Sequence, residues 1–372
     1  MKVARNYKIG GAIVVPPNPD PTPKPSIVTI TVNLSSPAST ATASFTNFKY
    51  NKQKAIIFEM DDAARTVYNA YDEKLKTTYY TNGCGQNVSY TGGIAVNGFN
   101  QFNNAEIGLG NSWVTYPQRA QMIAAGWDVM NHSFYHDPTG NFNYGSDAVR
   151  NTNELTALIL DKQKYQINIM VVPTNYPGFQ IAAKNAGYIG GTSEGTFDGI
   201  PFEPQFVAAG NTSNFPTNFT YQAVKRTFSD NWTNAGGQWS NVAALYTDSS
   251  KNFIEIGTHG LEGADQMVNF KSWIDQVVTL SNDSTVFCSL REFLEYLHIK
   301  NNIVKTESRV GNTLTITLDY SGIPNKFLSW YDLSLVVNTT GTITGVSVDN
   351  DFSSSFNAST KLVNINKRKI IW

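Results

Sequence analysis

Residues 54–62 read KAIIFEMDD, residues 127–136 read WDVMNHSFYH, and residues 253–259 read FIEIGTH. In each stretch a short apolar run, typical of a buried strand, ends directly before acidic or histidine residues. Helical stretches such as PQRAQMIAAG (117–126) and LREFLEYLHIK (290–300) alternate with such runs. This alternation favours βα units with a mainly parallel sheet, and six or seven units over about 250 residues favour a barrel over an open sheet.

The two ends of the chain have a different sequence pattern, without the alternation of strand-like and helical stretches. Residues 1–25 close with the proline-rich run PPNPDPTPKP, which predicts an extended arm or linker. The run SIVTITVNL (26–34) alternates like a half-buried strand, a weaker strand follows before residue 50, and strand-like runs return after residue 302. Neither end has enough strands for a sandwich of its own. We therefore expect residues 26–50 and 302–372 to form one accessory all-β domain beside an α/β domain at 51–301.

Composition excludes several classes of protein. Lys and Arg number 28 against 29 Asp and Glu, so the chain is not a polycation built to bind nucleic acid. No apolar run approaches the ~18 residues of a membrane span. The apolar stretch Ala12–Val15 is also shorter than the ~7–15 residues of a signal-peptide core. Cys84 and Cys288 form no CxxC pair, and two free thiols are favoured over a disulfide.

The strand ends carry the candidate functional residues. Asp61 and Asp62 follow the first run; as adjacent carboxylates they are either site residues or solvated groups that cap the next helix. His132 and His136 are four residues apart, so on a helical turn they would share a face and could bind one metal ion; the alternative is a pair of turn histidines bonded to the backbone. His259 ends the third run. One carboxylate and two imidazoles with an open position make the ligand pattern of catalytic zinc, which leaves a carboxylate as base and a histidine as acid.

These motifs resemble those of the polysaccharide deacetylase family, also called the NodB-homology or carbohydrate esterase family 4 enzymes. The resemblance covers about residues 52–300. The H-[ST]-x-x-H motif is intact at 132–136 after Asn131, and the TFDDG motif keeps its Asp pair within 59–63. The third motif survives as VPTNYPG (172–178) without its arginine; the nearest match to the Asp/Trp motif is Asp230 and Trp232, and the strand-then-His motif fits 254–259.

The resemblance implies a distorted (β/α) barrel of the NodB-homology type and a set of roles. The implied ligands of a divalent metal, with zinc favoured and cobalt, nickel or manganese as alternatives, are Asp62, His132 and His136. It further implies that Asp61 is the general base, that His259 is the acid, and that a backbone N–H near Tyr176 helps to bind the oxyanion. Because the third-motif arginine is missing, either another cation pairs with the base, with Arg65 the nearest in sequence, or the base is left less oriented.

The function predicted in this way is a metal-dependent deacetylase that removes N- or O-acetyl groups from a cell-surface or capsular polysaccharide. The alternatives are a carbohydrate-binding or structural protein with a decayed site on the same fold, and an esterase or other glycan-modifying relative. We expect an extracellular or cell-surface protein whose arm attaches to an anchor, or alternatively a virion-attached enzyme, for example on a phage tail. Six aromatic residues are candidates for stacking on sugar rings, or else belong to the core: Trp113, Tyr116, Tyr135, Phe142, Tyr144 and Trp232.

Overall fold

A computed structural model describes residues 26–37, 40–97, 112–134, 136, 165–195, 209–232, 238–263, 265–324 and 328–369. The proline-rich arm, Tyr135, Phe142, Tyr144 and the side chain of Tyr116 lie outside the described residues. Within them no helix is long and apolar enough to cross a membrane.

The described strands and helices follow one another as the sequence pattern indicates. The strands are β1 Ile27–Leu34, β2 Ala41–Phe45, β3 Lys54–Met60, β4 Tyr79–Thr81, β5 Asn87–Ser89, β6 Gly93–Val96, β7 Asp128–Asn131, β8 Ile169–Val171, β9 Gly190–Ser193, β10 Ala209–Gly210, β11 Gln222–Lys225, β12 Thr227–Phe228, β13 Phe253–Thr258, β14 Thr285–Cys288, β15 Val304–Val310, β16 Thr313–Asp319, β17 Leu333–Thr339, β18 Ile343–Val348, β19 Ser353–Asn357 and β20 Leu362–Asn366. The α-helices are α1 Arg65–Glu73, α2 Tyr116–Ala124, α3 Gly178–Asn185, α4 Trp239–Thr247, α5 Gln266–Ser281 and α6 Leu290–Asn302.

The central sheet curves into a nearly closed barrel. Its main path runs β10-β13-β3-β6-β7-β8-β9-β11, and every pairing except β10 with β13 is parallel. Strand β11 pairs with β9 at one end of this path, while β12, one residue further along the chain, pairs with β13 near the other end. Arg226 between them therefore joins the two ends, and the expected distorted (β/α) barrel is confirmed.

The strands that lead to the candidate residues are buried. Strand β3 is almost wholly buried, and its Phe58 contacts Phe270 of α5 with ring centroids 5.8 Å apart. The carboxyl ends of β3, β7 and β13 lie at the same rim, because these strands run in the same direction. This rim is where α/β barrels place functional side chains.

The two ends of the chain meet in two four-stranded antiparallel sheets. One sheet has the order β15-β16-β1-β18 and the other β19-β20-β17-β2. Val28, Ile30 and Val32 of β1 are fully buried, as the alternation of apolar residues in that strand predicts. The domain boundaries stay a prediction, but β1 and β2 do pair with strands that come after residue 302.

Helix α6 connects the barrel to these accessory sheets. Its Glu295 is fully buried, pairs with Arg291 at 2.8 Å, and accepts backbone N–H bonds from Ser329 and Trp330 at 2.9 and 2.8 Å. Arg291 also lies 3.3 Å from Asp128 at the start of β7. His298 on the same helix is buried, with its ring centroid 5.3 Å from that of Phe219.

Candidate metal and catalytic site

The barrel brings the five residues singled out at the strand ends into one cluster. Asp62 Oδ1 lies 3.6 Å from Nε2 of His132 and 3.6 Å from Nε2 of His136. Asp62 Oδ2 lies 3.9 Å from Nε2 of His259, and Asp61 Oδ2 lies 3.8 Å from Nε2 of His132. Three loops that are distant in sequence therefore supply one group of carboxylates and imidazoles.

The Asp pair does not cap the following helix. Helix α1 has Ala64 as its N-cap residue, and no side chain makes a cap hydrogen bond there. Instead, the Asp61 N–H donates to the Thr258 carbonyl at 2.8 Å, which links the end of β3 to the end of β13. Asp62 has a φ of 63°, an uncommon left-handed backbone for a residue other than glycine. The chain thus turns sharply at the point where it places Asp62 beside the two histidines.

The two histidines are held by a loop, so the expectation of a helical turn is wrong. Ser133 has a left-handed φ of 60°, and its N–H donates to the Asn131 Oδ1 at 2.8 Å. The Ser133 hydroxyl in turn accepts a hydrogen bond from the His136 N–H at 2.9 Å. Side-chain hydrogen bonds to the backbone, rather than helical periodicity, put both imidazoles on the same side of the chain.

The residues of this cluster fit a metal ion. The ligand atoms of Asp62, His132 and His136 all lie within 4.8 Å of one another. The His132 ring is buried and its Nδ1 lies 2.8 Å from the Val171 carbonyl, so Nδ1 is the donor and Nε2 is left to face Asp62. Burial lowers the pKa of His132, which favours the neutral ring that metals bind. One carboxylate and two imidazoles with an orienting carbonyl match the donor set of catalytic zinc.

The cation that pairs with Asp61 is Arg226, not Arg65. Arg226 Nη1 and Nη2 each donate to one oxygen of the Asp61 carboxylate at 2.7 Å, and both side chains are buried. Although burial opposes ionisation, the Arg226 guanidinium and His132 hold the pKa of Asp61 below its ordinary value. Arg226 lies between β11 and β12. The only feature of the sequence that could have identified it as the partner of Asp61 is that it is a charged residue inside a strand-length run, four residues before Asp230.

Gly257 on β13 makes the space that Arg226 occupies. A Cβ at this position would lie 2.8 Å from Arg226 Cδ and 3.0 Å from Phe228 Cδ2, closer than normal contacts allow. The Arg226 guanidinium carbon also lies 4.8 Å from the centroid of the Phe228 ring, so the arginine is enclosed on both sides.

Gly257→Ala is expected to push Arg226 away from Asp61. Turnover should fall by about 10- to 100-fold, because a small misplacement of a catalytic group has that effect, while bound metal stays the same. Overpacking should cost about 1–3 kcal/mol of stability. Initial rates, metal content and melting temperature are the measurements. Gly322→Ala is the control, since a Cβ there meets no atom within 4 Å. Unchanged turnover in Gly257→Ala would contradict the need for Arg226.

His259 is oriented by Asp230, the residue that the sequence offered only as the nearest match to the fourth motif. His259 Nδ1 lies 2.9 Å from Asp230 Oδ2, and the His259 backbone N–H donates to Asp230 Oδ1 at 3.1 Å. Burial opposes protonation of the ring, but the hydrogen bond to Asp230 and the charge of Asp61 raise the pKa of His259 above its ordinary value. His259 is thus prepared to carry a proton next to Asp62.

An open cavity of about 450 Å³ borders the cluster. Asp62, Asp230 and His259 lie on one side of it, and Trp113 and Gln266 are among the other lining residues. Of the two candidate aromatic residues with described side chains, Trp113 lines this cavity. Trp232, by contrast, is buried against Phe270 and Trp273 at ring-centroid distances of 5.1 and 4.9 Å, and so belongs to the core.

Tyr176 follows β8 and a short turn at Pro173–Asn175. Its backbone N–H donates to the Pro173 carbonyl at 3.2 Å, and its side chain is exposed. The oxyanion role of a nearby N–H stays a prediction. Both cysteines are free, as expected from their spacing.

A scan against protein-family models and a search of curated proteins give no match. Among solved structures the chain is similar to a family 4 carbohydrate esterase from Streptomyces lividans in complex with acetate, at 14% identity over 64% of this chain and 92% of that one, with a TM-score of 0.36. It is also similar to a CE4 family pseudoenzyme from Bacillus anthracis (9% identity, 65% and 66% coverage, TM-score 0.39). A third is the peptidoglycan deacetylase PdaC from Bacillus subtilis (13% identity, 67% and 92% coverage, TM-score 0.35). At such identities and TM-scores the likenesses carry no argument about the family or the activity of this chain.

Proposed function

We propose that the protein is a metal-dependent deacetylase that hydrolyses acetyl groups on a polysaccharide. The observation that supports this most is the joint placement of three kinds of group in one cluster that borders an open cavity. These are a three-ligand set for a metal, a carboxylate ionised by a buried arginine, and a histidine paired with an aspartate. Ester or amide hydrolysis needs all three functions next to the same carbonyl group.

In this proposal Asp62, His132 and His136 hold the metal, which when bound polarises the acetyl carbonyl and lowers the pKa of a water molecule. Asp61 accepts the proton of the attacking water, and Arg226 fixes the orientation of its carboxylate. His259 donates a proton to the leaving amine or alcohol. The environment pushes the pKa of Asp61 down and that of His259 up, which is the division expected between a base and an acid.

The cavity supports a polymeric substrate because it is open to solvent on one side and has Trp113 in its wall. An aromatic ring beside the acetyl site can pack against the apolar face of a sugar ring. We therefore propose an acetylated cell-surface or capsular polysaccharide as the substrate, with either N- or O-acetyl groups. We also propose that the protein acts outside the cell or at its surface, or alternatively as part of a virion to which the proline-rich arm attaches.

The direct test is acetate release from a panel of acetylated polysaccharides. The protein is stripped with a chelator and then given zinc, cobalt, nickel or manganese in turn. We expect acetate release to disappear with the metal and to return with at least one of the four. A protein that neither retains a metal nor releases acetate under any of these conditions would exclude the deacetylase.

Asp230→Asn is expected to shift the pH profile of turnover. Asp230 raises the pKa of His259, so without this carboxylate the histidine loses its proton at a lower pH. The alkaline limb of kcat should therefore move to lower pH, because the leaving group is then less often protonated. Asp351→Asn, at an exposed left-handed turn that asparagine tolerates, is the matched control. An unmoved alkaline limb in Asp230→Asn would show that His259 is not the acid.

A second candidate is a carbohydrate-binding protein whose site has decayed. The Tyr176 N–H donates to the Pro173 carbonyl and is therefore not directed at a substrate oxyanion. This hydrogen bond favours the binding protein over the enzyme. Such a protein should bind glycans measurably but release no acetate with any metal. Binding assays run beside the acetate assay separate the two candidates.

A further inference from the structure

Two buried glutamates, Glu59 and Glu255, lie close to Asp61, the proposed general base, and have no role in the proposed reaction. Glu59 on β3 and Glu255 on β13 are both fully buried. In the parallel pairing of these strands Glu59 is opposite Gly257 and Glu255 is opposite Ile57, so the two carboxyl groups point into the barrel from adjacent strands. Asp61 continues the same face of β3, two residues after Glu59.

The surroundings supply too little positive charge for two ionised glutamates. Arg226 Nη1 lies 3.7 Å from Glu59 Oε2, beyond hydrogen-bonding distance, and both Nη atoms already bond Asp61. Among the described residues no lysine, arginine or histidine lies within ion-pair distance of Glu255. Three carboxylates around one buried guanidinium would leave unpaired charge in the barrel, which costs several kcal/mol.

A proton shared between Glu59 and Glu255 removes this excess of negative charge. The carboxylate oxygens of Glu59 and Glu255 are buried and accept no hydrogen bond from any other described residue, so a proton on one of these neighbouring carboxyl groups, available to both, is what lowers the charge. Burial raises the pKa of Glu59 well above its ordinary value, and the neighbouring Glu255 adds to the rise. Burial also raises the pKa of Glu255, to about 7, against the effects of Glu59, Arg226 and Thr192. Because the two carboxyl groups extend from the same face of adjacent strands, the proton belongs to the pair rather than to either residue.

We propose that Glu59 and Glu255 share one proton and that the one negative charge they keep is the second counter-ion of Arg226, which makes them positioning residues for Asp61. Arg226 is then held between two anionic groups, with Asp61 on its hydrogen-bonding edge and the carboxyl pair behind it. The role rests on the proposed deacetylase reaction, in which Asp61 is the base. Other buried pairs of carboxyl groups keep one proton for the same reason: two neighbouring carboxyl groups do not both ionise, because their like charges repel.

Glutamine substitutions test both parts of the proposal. Glu59→Gln or Glu255→Gln alone replaces one member by a neutral group of the same shape and leaves one carboxylate, which is the charge that the pair has with its shared proton. Each single variant should therefore retain most of the wild-type kcat. The double variant Glu59→Gln with Glu255→Gln removes the charge, and its kcat should fall about tenfold, a small part of the ~10²–10⁴ that a base contributes. KM and metal content should not change.

Stability and infrared absorption test the shared proton independently of turnover, whereas kcat tests the positioning role. For a carboxyl group whose folded pKa is raised, the stabilisation is present below the unfolded pKa and is lost as pH rises through the folded pKa. The double variant should thus melt higher than wild type at alkaline pH, by about 2–4 °C, and the gain should shrink in acid. The infrared band of a protonated carboxyl group should be present in the wild type at neutral pH and absent from the double variant.

The possible results separate three claims, namely the shared proton, the positioning role and the proposed function. A single variant as slow as the double variant would overturn proton sharing, and so would a wild type without the infrared band. An active wild type whose double variant has the same kcat overturns the positioning role alone. A wild type that releases no acetate overturns the proposed function, which is a separate failure, because the band and the stability profile do not depend on turnover.

Discussion

Asp62→Ala and His132→Ala are each expected to lose the bound metal and the acetate-release activity together. Each change removes one of three ligands whose donor atoms lie within 4.8 Å of one another, and the two ligands that remain do not hold a catalytic metal tightly. Elemental analysis of the purified variants beside their initial rates checks this. His136→Ala should give the same result, since its Nε2 lies as close to Asp62 as that of His132.

The alternative for Asp62 is a purely structural role. That role predicts a loss of about 1 kcal/mol of stability, as for a lost helix cap, with metal content unaffected. The geometry already opposes capping, because the N-cap Ala64 has no side-chain partner. Wild-type metal content in Asp62→Ala would nonetheless remove Asp62 from the ligand set.

Asp61→Asn is expected to keep the metal and to lose about 10²–10⁴-fold in turnover. The ligand set is intact in this variant, but an amide does not take up the proton of the attacking water. Arg226 loses the charge of its bidentate partner, so the melting temperature should also fall, since breaking a buried ion pair leaves the other charge uncompensated. Rates, metal content and melting temperature measured on the same preparation separate the two effects.

His259→Ala completes the division of roles. It should also keep the metal, and its deficit should be smallest on substrates with good leaving groups, which need little protonation. If Asp61→Asn loses its metal, Asp61 is a ligand rather than the base. If His259→Ala is equally slow on all leaving groups, the histidine is not the acid.

Much of the fold could be predicted from residues that are close in sequence. The apolar runs before Asp61, His132 and His259 are strands because each is short, apolar and followed by polar groups, and parallel pairing then places their carboxyl ends at one rim. The alternation of Val28, Ile30 and Val32 likewise predicts a strand with one buried face. For the same reason the metal ligands could be proposed from motifs: Asp62, His132 and His136 lie two, one and five residues after a strand end.

The partners of those residues could not be predicted in this way. Arg226 is 165 positions from Asp61, and Asp230 is 29 positions from His259, so no local periodicity connects them. The chain lacks the arginine expected after β8, and a different strand supplies the charge, because any strand around a closed barrel can direct a side chain to its centre. Glu59 and Glu255 meet only through the register of β3 and β13. Charge pairing inside the barrel depends on which strands are neighbours and on how much water they exclude, and these are properties of the assembled barrel.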